Sequence, residues 1–411
     1  MNRFLPDVKR LMSFLLGHAH WVLFGRIYTS AAALLLSVVL SRSMPLEGYG
    51  QYQFYISAFS LAAVFSLTSS TNTLLKYAAI GYEYSYRIIF NYRLRFSLLG
   101  SITLIAWGVF GASGDDVWVF VGLAVFLPIF NGCDLFEYLL QARIHFRSLN
   151  LNYILRSTVT VIAPIVTFLI SRDVIFTLFA YLGSFSLVNL IFYIHYLKGL
   201  KSQKIPNPAL IKKIKRESLF LSLAGLASLV CLHLDRVLIF NQLDAKSLAI
   251  YANGMILGMS INALFKTVLG SVNGRLAFVE IKHWHYYGVL AFGTILGLLG
   301  VVFMPLFIWV LFGEKFSGSV IFGQIVLGSL GIYLASNLLF DNIMFGKENN
   351  IKAIYINNVL VSLGQFLSLL AVFHIFSDSK YLLIMFALQY PWKAILNIIV
   401  LVSSNWVLSR G

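Results

Sequence analysis

Apolar runs long enough to cross a bilayer repeat along nearly the whole chain, and short turn-rich or charged segments separate them. A membrane-spanning helix needs about 20 mostly apolar residues, because each residue advances the helix by about 1.5 Å across a hydrocarbon layer about 30 Å thick. The pattern predicts spans at residues 21–41, 52–74, 96–112, 117–140, 151–170, 174–197, 218–240, 248–272, 287–311, 319–340, 353–376 and 381–404. The predicted fold class is therefore an all-α integral membrane protein with about twelve transmembrane helices.

Composition places most of the protein surface in lipid rather than in water. Hydrophobic residues make up 59% of the 411 residues and charged residues only 11%, whereas soluble domains carry about 25% charged residues. Cys133 and Cys231 both lie in apolar runs, so a disulfide framework is not expected. Asp7 and His18 interrupt the first 20 residues, so a cleavable signal peptide with an apolar core is not expected there.

The distribution of Lys and Arg between the apolar runs predicts the orientation of the chain. The formal net charge of +15 comes largely from short basic clusters between spans. That pattern reports membrane orientation and does not point to nucleic acid as a partner. If residues 1–20 lie inside and the spans alternate, the outside segments hold most of the loop acids, and their cations are only Arg42, Arg172, Lys246, Lys315 and Lys380. Both termini are therefore expected in the cytoplasm.

The longest polar stretch, residues 198–217, divides the predicted spans into two sets of six. The predicted organisation is a cytoplasmic N-terminal segment (1–20), an N-lobe (21–197), a cytoplasmic inter-lobe linker (198–217) and a C-lobe (218–411). Within the linker, Asn207 and Pro208 are residue types favoured at the N-cap and the first position of a helix. Two interpretations of the linker stay open: a short helix at the membrane interface, or a solvated connection.

A repeated spacing supports two parallel halves. Tyr52 near the start of span two precedes Lys76 by 24 residues, and Tyr251 at the start of span eight precedes Arg275 by the same interval. Two six-span halves with the same orientation are related by an axis along the membrane normal.

Charged residues inside the predicted spans are the candidate functional residues, because an ionised group near the bilayer centre costs about 2.5–3.5 kcal/mol on insertion scales. Such residues are expected to face the protein interior or water. The cations are Arg26, Arg156, Arg236, Lys266 and Lys393, and the acids are Asp134, Glu137, Asp235 and Asp341. This nearly balanced set permits an anionic substrate without indicating one.

Three of the cations are candidates for lining a water-filled cavity. Lys266 lies deep in span eight, and Asn262 lies one turn earlier on the same helical face. Arg26 lies early in span one and either lines a cavity or extends to the inner headgroups. Lys393 follows Pro391 inside the last apolar run.

The carboxylates suggest two further arrangements. Asp134 and Glu137 are three positions apart in span four and so share a helical face. Arg156 in span five could pair with them, or Glu137 could reach cytoplasmic water. Near the outer end of span seven, the neighbours Asp235 and Arg236 suggest a structural ion pair that orients the helix end.

The motifs of several other function classes are absent from the sequence. It contains no G-x-x-x-x-G-K-[ST] phosphate-binding loop and no H-E-x-x-H or Cys/His cluster, so no nucleotide hydrolysis, metal site or bound cofactor is expected. No outside segment is long enough for a folded catalytic domain. Two six-span halves with internal charges are typical of a secondary transporter, and a channel is less expected because no repeated short pore loop occurs.

Several segments resemble one transporter family. Residues 41–52 (SRSMPLEGYGQY), after an N-terminal helix with an internal Arg, resemble the start of polysaccharide biosynthesis flippases, as do residues 70–77. Residues 234–238, 241–244 and 249–252 are similar to the seventh and eighth helices of that family. The family comprises the O-antigen and lipid-linked oligosaccharide flippases of the multidrug/oligosaccharidyl-lipid/polysaccharide exporter (MOP) superfamily.

The resemblance implies two six-helix lobes around a central cavity, in the bacterial inner membrane. Such proteins move an undecaprenyl-diphosphate-linked glycan, as in lipopolysaccharide biosynthesis, from the cytoplasmic to the periplasmic leaflet by alternating access. Their partners are the lipid-linked oligosaccharide, the bilayer and, in some systems, other polysaccharide assembly proteins.

The resemblance also implies roles for the candidate residues. It makes Arg26, Lys266 and Lys393 candidates for holding the diphosphate or acidic sugars, and Asp134 and Glu137 candidates for binding a coupling proton or sodium ion. A nearly balanced interior departs from the strongly cationic lumen expected for acidic glycans. Two alternatives stay open: a small-molecule exporter of the same superfamily, and a glycan polymerase or ligase, which would need a large outside loop.

Overall fold

The computed structural model describes residues 20–111, 116–143, 145–200, 206–276, 283–345, 351–376 and 381–408. Within these ranges it does not describe the side chains of residues 20–23, 224, 228, 265–276, 283, 344–345, 351–352, 354–355 and 405–408. The predicted N-terminal segment and residues 201–205 of the predicted linker therefore lie outside the described residues.

The first half of the described chain is helical. Its helices are α1 (His20–Ser43), α2 (Leu46–Ala62), α3 (Ser70–Ala79), α4 (Ser85–Gly111), α5 (Asp116–Gly132), α6 (Phe136–Ala142), α7 (Phe146–Ser171) and α8 (Val174–Lys198). Short 3₁₀ turns at Ala63–Ser66 and Cys133–Leu135 interrupt the second and fourth predicted spans.

The second half repeats this all-helical pattern. Its helices are α9 (Pro208–Gln242), α10 (Ala245–Leu276), α11 (His283–Phe312), α12 (Val320–Gly328), α13 (Leu330–Phe345), α14 (Ile351–Phe376) and α15 (Leu382–Leu408). A 3₁₀ turn at Glu314–Ser319 precedes α12. The described residues contain no β-strand, which confirms the all-α class.

The number of helices that can cross a membrane agrees with the sequence pattern. Nine helices in the described residues are long and apolar enough by themselves, and three bent pairs raise the number to twelve if each pair is one span. The bends are 49° at Leu46–Ser66 and Ser70–Ala79, 42° at Pro208–Leu223 and Gly225–Gln242, and 42° at Glu314–Gly328 and Leu330–Ile343.

Large apolar side chains cover the outside of the helices. Phe110 and Ile170 are 89% and 81% exposed, and Trp118 and Val302 are also mostly exposed. Such a surface is stable only when lipid replaces water as the solvent, because the helices satisfy their own backbone hydrogen bonds. The buried residues, by contrast, include many serines, asparagines and charged groups.

Two prolines inside spans leave carbonyls that neighbouring helices use. A proline lacks the N–H that would bond the carbonyl four residues earlier. In α5, Pro128 leaves the carbonyl of Ala124, which accepts a 2.7 Å hydrogen bond from the Ser101 hydroxyl. In α11, Pro305 leaves the carbonyl of Val301, which accepts a 3.2 Å hydrogen bond from the side-chain amide of Gln324. Each freed carbonyl therefore ties its helix to a neighbouring span.

The described part of the linker is mostly helical. The Asn207 side chain caps the helix as expected, since it accepts a 2.8 Å hydrogen bond from the Leu210 N–H. Helix α9 runs from Pro208 to Gln242, and its two parts, Pro208–Leu223 and Gly225–Gln242, meet at a 42° bend, so the described linker residues from Pro208 onward belong to the first part of a bent helix. Ile214 is fully buried in a cluster that contains Leu74 of α3. The first turns of α9 thus pack against the first half, and the lobe boundary at 198–217 stays a prediction.

Candidate functional site

The two halves meet along the second and seventh spans. Phe54 of α2 and Phe240 of α9 stack with ring centroids 4.0 Å apart. Further along, Gly225 of α9 lies against the Ser69 hydroxyl, and the Lys76 ammonium pairs with Glu217 at 3.0 Å. Because the α2 and α3 residues ascend in number while the α9 residues descend, these spans run antiparallel and stay in contact over most of their length.

One end of the interface is closed by a reciprocal pair of cation contacts, which we call the α1/α11 latch. Arg42 in the last turn of α1 donates from Nε to the Leu311 carbonyl at 2.8 Å and from Nη2 to the Val310 carbonyl. Lys315, just after α11, donates to the carbonyls of Met44 at 2.8 Å and Arg42 at 3.2 Å. The last carbonyls of a helix lack partners within the helix and carry partial negative charge, so each cation stabilises the end of the other helix.

Close packing at the same end supports the latch. Lys246 of α10 pairs with Glu47 of α2 at 2.9 Å, and the Tyr49 ring meets Phe316 edge-on at 6.0 Å. The backbones of α2 and α10 almost touch, because a methyl group on Gly50 would lie 1.8 Å from the Ala245 carbonyl oxygen. In the predicted topology, this closed end is the outside.

A polar cavity of about 420 Å³ lies between the halves, in the part of the spans away from the latch. We call it the inter-lobe cavity. The first turn of α3 contributes Thr71 and Asn72, and helix α9 contributes Gly225. Helices α13, α14 and α15 of the second half complete the wall. The volume falls in the range of about 300–1,000 Å³ typical of small-molecule sites.

Amides and hydroxyls dominate the second-half wall of the inter-lobe cavity. It contains the amides Asn337, Asn358 and Asn397, the hydroxyls of Ser336 and Ser362, and the charged pair of residues Asp341 and Lys393. Within the described part of the chain, the Asn337 amide nitrogen has no hydrogen-bond partner. The Asn397 amide oxygen accepts a 3.0 Å hydrogen bond from Asn357. An unpartnered donor beside a cavity is suited to a polar ligand.

An aromatic pair stands behind this wall. The ring of Tyr333, which lines the inter-lobe cavity, stacks on Tyr390 with centroids 4.7 Å apart and planes 5° apart. The Tyr390 hydroxyl in turn accepts a hydrogen bond from the Asn262 amide of α10. These contacts tie together three helices, α10, α13 and α15, at the edge of the cavity.

The interior of the first half contains ion pairs instead. Fully buried Arg93 pairs with Asp134 at 2.9 Å and donates to the Ser66 carbonyl at 3.2 Å. Arg156 pairs with Glu137, which also accepts a 2.8 Å hydrogen bond from the Tyr153 hydroxyl. Buried arginines require such partners, because an unpaired charge away from water is strongly unfavourable. The suggested partnership of Arg156 with this acidic pair is therefore present, with Glu137 as the partner.

Sequence reasoning missed Arg93, which it assigned to an inside loop. The predicted third span starts at residue 96, whereas helix α4 starts at Ser85 and carries Arg93 into the protein interior. Hydropathy alone gave no signal for this residue, because its carboxylate partner is 41 positions away. The available clue was Asp134, an acid inside a span that contains no basic residue to pair with it.

A second, smaller cavity of about 230 Å³ adjoins the ion pairs. Its polar lining includes Thr29 of α1, Gln53 of α2, and Arg156 and Ser157 of α7. Ser157 donates a 3.1 Å hydrogen bond to Thr29. Arg26 is half-buried nearby, with its guanidinium 4.7 Å from the centroid of the Tyr153 ring. Neither cavity has Arg26 in its lining.

The two remaining cations of the predicted site differ in what the structure describes of them. Lys393 lines the inter-lobe cavity. Lys266 belongs to α10, but its side chain lies outside the described residues. Within those residues, no group of three or more His, Cys, Asp and Glu side chains is placed to bind a metal ion.

The suggested ion pair of Asp235 and Arg236 is not found among the described side chains. The Asp235 carboxylate accepts hydrogen bonds from the Tyr251 hydroxyl at 2.6 Å and from the Arg236 backbone N–H at 2.7 Å. Arg236 contacts its neighbour through the backbone N–H, and the side-chain partner of Asp235 is Tyr251. Asp235 thus links α9 to α10 through its hydrogen bond with Tyr251.

Comparison with solved structures shows the same fold at low sequence identity. A mutant of the Vibrio cholerae MATE transporter VcmN matches with a TM-score of 0.62 and 13% identity, over 98% of both chains. A MOP superfamily transporter from Pyrococcus furiosus matches with a TM-score of 0.59 and 14% identity, over 96% of this chain and 95% of that one. The inward-facing conformation of a multidrug resistance MATE family transporter gives 0.59 and 16%, over 93% and 95%.

Sequence comparison gives the family. No curated protein matches the chain at a significant level. The family model described as polysaccharide biosynthesis protein matches residues 15–272, which is more than half of the chain. The chain therefore belongs to the polysaccharide biosynthesis protein family, and it has the two-lobed fold of MOP superfamily transporters.

Proposed function

We propose that this protein is a flippase that moves an undecaprenyl-diphosphate-linked oligosaccharide across the bacterial inner membrane by alternating access. The oligosaccharide is an O-antigen or a similar surface polysaccharide repeat unit, and it moves from the cytoplasmic to the periplasmic leaflet. The observation that carries this proposal is the polar inter-lobe cavity inside a protein whose outer surface is apolar.

A lipid-linked oligosaccharide needs a polar path through the membrane. A diphosphate and a chain of sugars cannot enter hydrocarbon unaided, because their charges and hydroxyls would lose water without gaining other partners. A polar cleft between two lobes supplies those partners, while the lipid tail stays in the bilayer. The match to the polysaccharide biosynthesis family supports this substrate class.

The state of the latch supports alternating access. The α1/α11 latch closes the predicted outside end of the interface, so substrate would enter from the opposite, cytoplasmic end. Opening the latch and closing the other end would then release the glycan outside. In the predicted topology, an outside end closed in this way is what a loading state requires.

Lys393 is the proposed anchor for the diphosphate, because its side chain is a described cation in the inter-lobe cavity. Arg26 and Lys266 stay proposals for the same task. Asp134 and Glu137 stay proposals for ion coupling. An arginine already neutralises each of them, so a coupling ion would have to displace Arg93 or Arg156.

The alternative is a small-molecule exporter. Its support is the likeness to multidrug resistance MATE transporters, which extends over nearly the whole chain. At 14–16% identity this likeness concerns the fold and not the substrate. The family match favours the flippase.

A leaflet assay tests the proposal. Purified protein is reconstituted into liposomes with a fluorescent lipid-linked oligosaccharide, and a membrane-impermeant glycosidase reports the fraction that reaches the outer leaflet. We expect the wild type to raise this fraction above that of empty liposomes, and Lys393→Gln to remove most of the increase. The matched control is Lys198→Gln, which alters an exposed lysine at the end of α8. If wild-type and empty liposomes behave alike while a cationic dye is exported, the exporter alternative replaces the flippase.

A further inference from the structure

We infer that the glycan carried in the inter-lobe cavity is uncharged, and that amides and hydroxyls of the second half recognise its sugar hydroxyls. This inference rests on the proposed flippase function and names the substrate class of the same site. Three independent features of the cavity wall carry it: its charge balance, its hydrogen-bonding groups and its aromatic surface.

The described charges of the cavity wall cancel. Asp341 contributes one carboxylate and Lys393 one ammonium. If the ammonium holds the diphosphate, the described charge that remains in the wall is the Asp341 carboxylate. An acidic sugar would then be taken from water into a site that repels it, which is unfavourable. A neutral sugar meets no such penalty.

The hydrogen-bonding groups of the wall match sugar hydroxyls. The amides of Asn72, Asn337, Asn358 and Asn397 each offer both donors and an acceptor, and they are distributed around the cavity on four helices. A sugar hydroxyl is also both donor and acceptor, so amides can satisfy it in either direction. The unpartnered amide nitrogen of Asn337 leaves a donor available for such a bond.

The aromatic surface adds the third feature. Tyr333 and Phe340 of α13 line the same wall as the amides. The stack on Tyr390 restrains the Tyr333 ring, and an ordered ring offers a flat apolar surface at low entropic cost. The C–H faces of a pyranose ring are apolar, so a sugar can lie against such a surface while its hydroxyls reach the amides.

The arginines of the first half do not change this balance. Arg93 and Arg156 are committed to Asp134 and Glu137, at 2.9 Å for the first pair. Neither arginine lines the inter-lobe cavity. Their charges are thus neutralised locally and are not offered to an acidic glycan.

The experiment compares two substrates on the same protein. Two lipid-linked oligosaccharides share the lipid, the diphosphate and the chain length, and differ only in one hexose that is replaced by its uronic acid. Both are tested in the leaflet assay with the wild-type protein. We expect the neutral form to be moved about tenfold faster, because one carboxylate loses water without gaining a cation.

A charge added to the wall should remove the preference. Asn358→Lys puts a second ammonium in the cavity, and we expect it to raise the rate for the uronic acid form about tenfold. The matched control is Asn241→Lys, which adds the same charge at an exposed position outside the cavity and should leave both rates unchanged. Elution as a single species from size exclusion in detergent checks that each variant is folded.

The outcomes separate the two proposals. Equal rates for the two forms, or faster movement of the acidic form by the wild type, would overturn the uncharged class while leaving the flippase intact. Movement of neither form would remove the flippase itself. The wild-type comparison needs no variant, so it decides the question even if Asn358→Lys fails to fold.

Discussion

The two lobes bury polar groups by different chemistry. In the first half, arginines and carboxylates pair across helices, as in Arg93 with Asp134 and Arg156 with Glu137. In the second half, contacts such as Asn357 with Asn397 and Ser368 with Gln389 join amides and hydroxyls. There the Asp235 carboxylate bonds the Tyr251 hydroxyl and no described arginine side chain. Ion pairs fix one geometry because each charge needs its partner, whereas amides can exchange one polar partner for another. The first half is therefore suited to rigidity, and the second to binding ligands of varied shape.

The largest expected effect comes from breaking an ion pair of the first half. Arg156→Met leaves Glu137 buried without its cation, which is expected to cost about 3–5 kcal/mol of stability. Thermal unfolding in detergent, followed by intrinsic fluorescence, measures the loss. The double variant Arg156→Met with Glu137→Gln removes both charges and should recover most of the stability. If the single variant unfolds like the wild type, this pair is not a rigid element and the contrast between the lobes fails.

An intermediate effect is expected at the latch between the lobes. Removing both cations with Arg42→Ala and Lys315→Ala deletes two helix-end interactions, each worth about 0.3–1 kcal/mol. We expect the closed end to open more often. Spin labels at the exposed positions Ser43 and Ser317 would report this as a longer and broader distance distribution in pulsed EPR.

The control for the latch is Lys246→Ala, which removes the exposed ion pair with Glu47 at the same end. Exposed pairs contribute little, so the distance distribution should stay as in the wild type. An equal widening in both variants would show that any loss of charge loosens this end, and the reciprocal capping would lose its special role.

The smallest effect is expected for a hydrogen bond of the second half. Ser368→Ala removes the 2.6 Å bond to the Gln389 amide oxygen, and such side-chain bonds in membrane proteins average about 0.6 kcal/mol. The same unfolding measurement applies. A loss as large as that of Arg156→Met would mean that the amide network is as rigid as the ion pairs.

Much of the fold was readable from the sequence, and the errors share one cause. Apolar runs predicted the nine helices and three bent pairs that can cross a membrane, and the positions of the charges suggested the partnership of Arg156 with Glu137. The burial of Arg93 and the choice of Tyr251 as the partner of Asp235 were missed. Hydropathy measures composition in a local window, whereas these partners are brought together by helix packing.

The site was less predictable than the fold for a related reason. Lys393 was identified as a charge inside a span, which is a rare and conspicuous feature. The asparagines of the cavity wall are uncharged and common, so nothing in the sequence set Asn337 or Asn358 apart. Only their positions on different helices show that they surround one space.

The near contact of Gly50 with the Ala245 carbonyl has a mechanical consequence. With no side chain between them, the two backbones are in direct contact. The helices can tilt about this point, but they cannot slide past it without a steric clash. One methyl group at Gly50 would act as a wedge and force the lobes apart at this end. The absence of a side chain at Gly50 thus sets how closely the two halves can approach each other at this end.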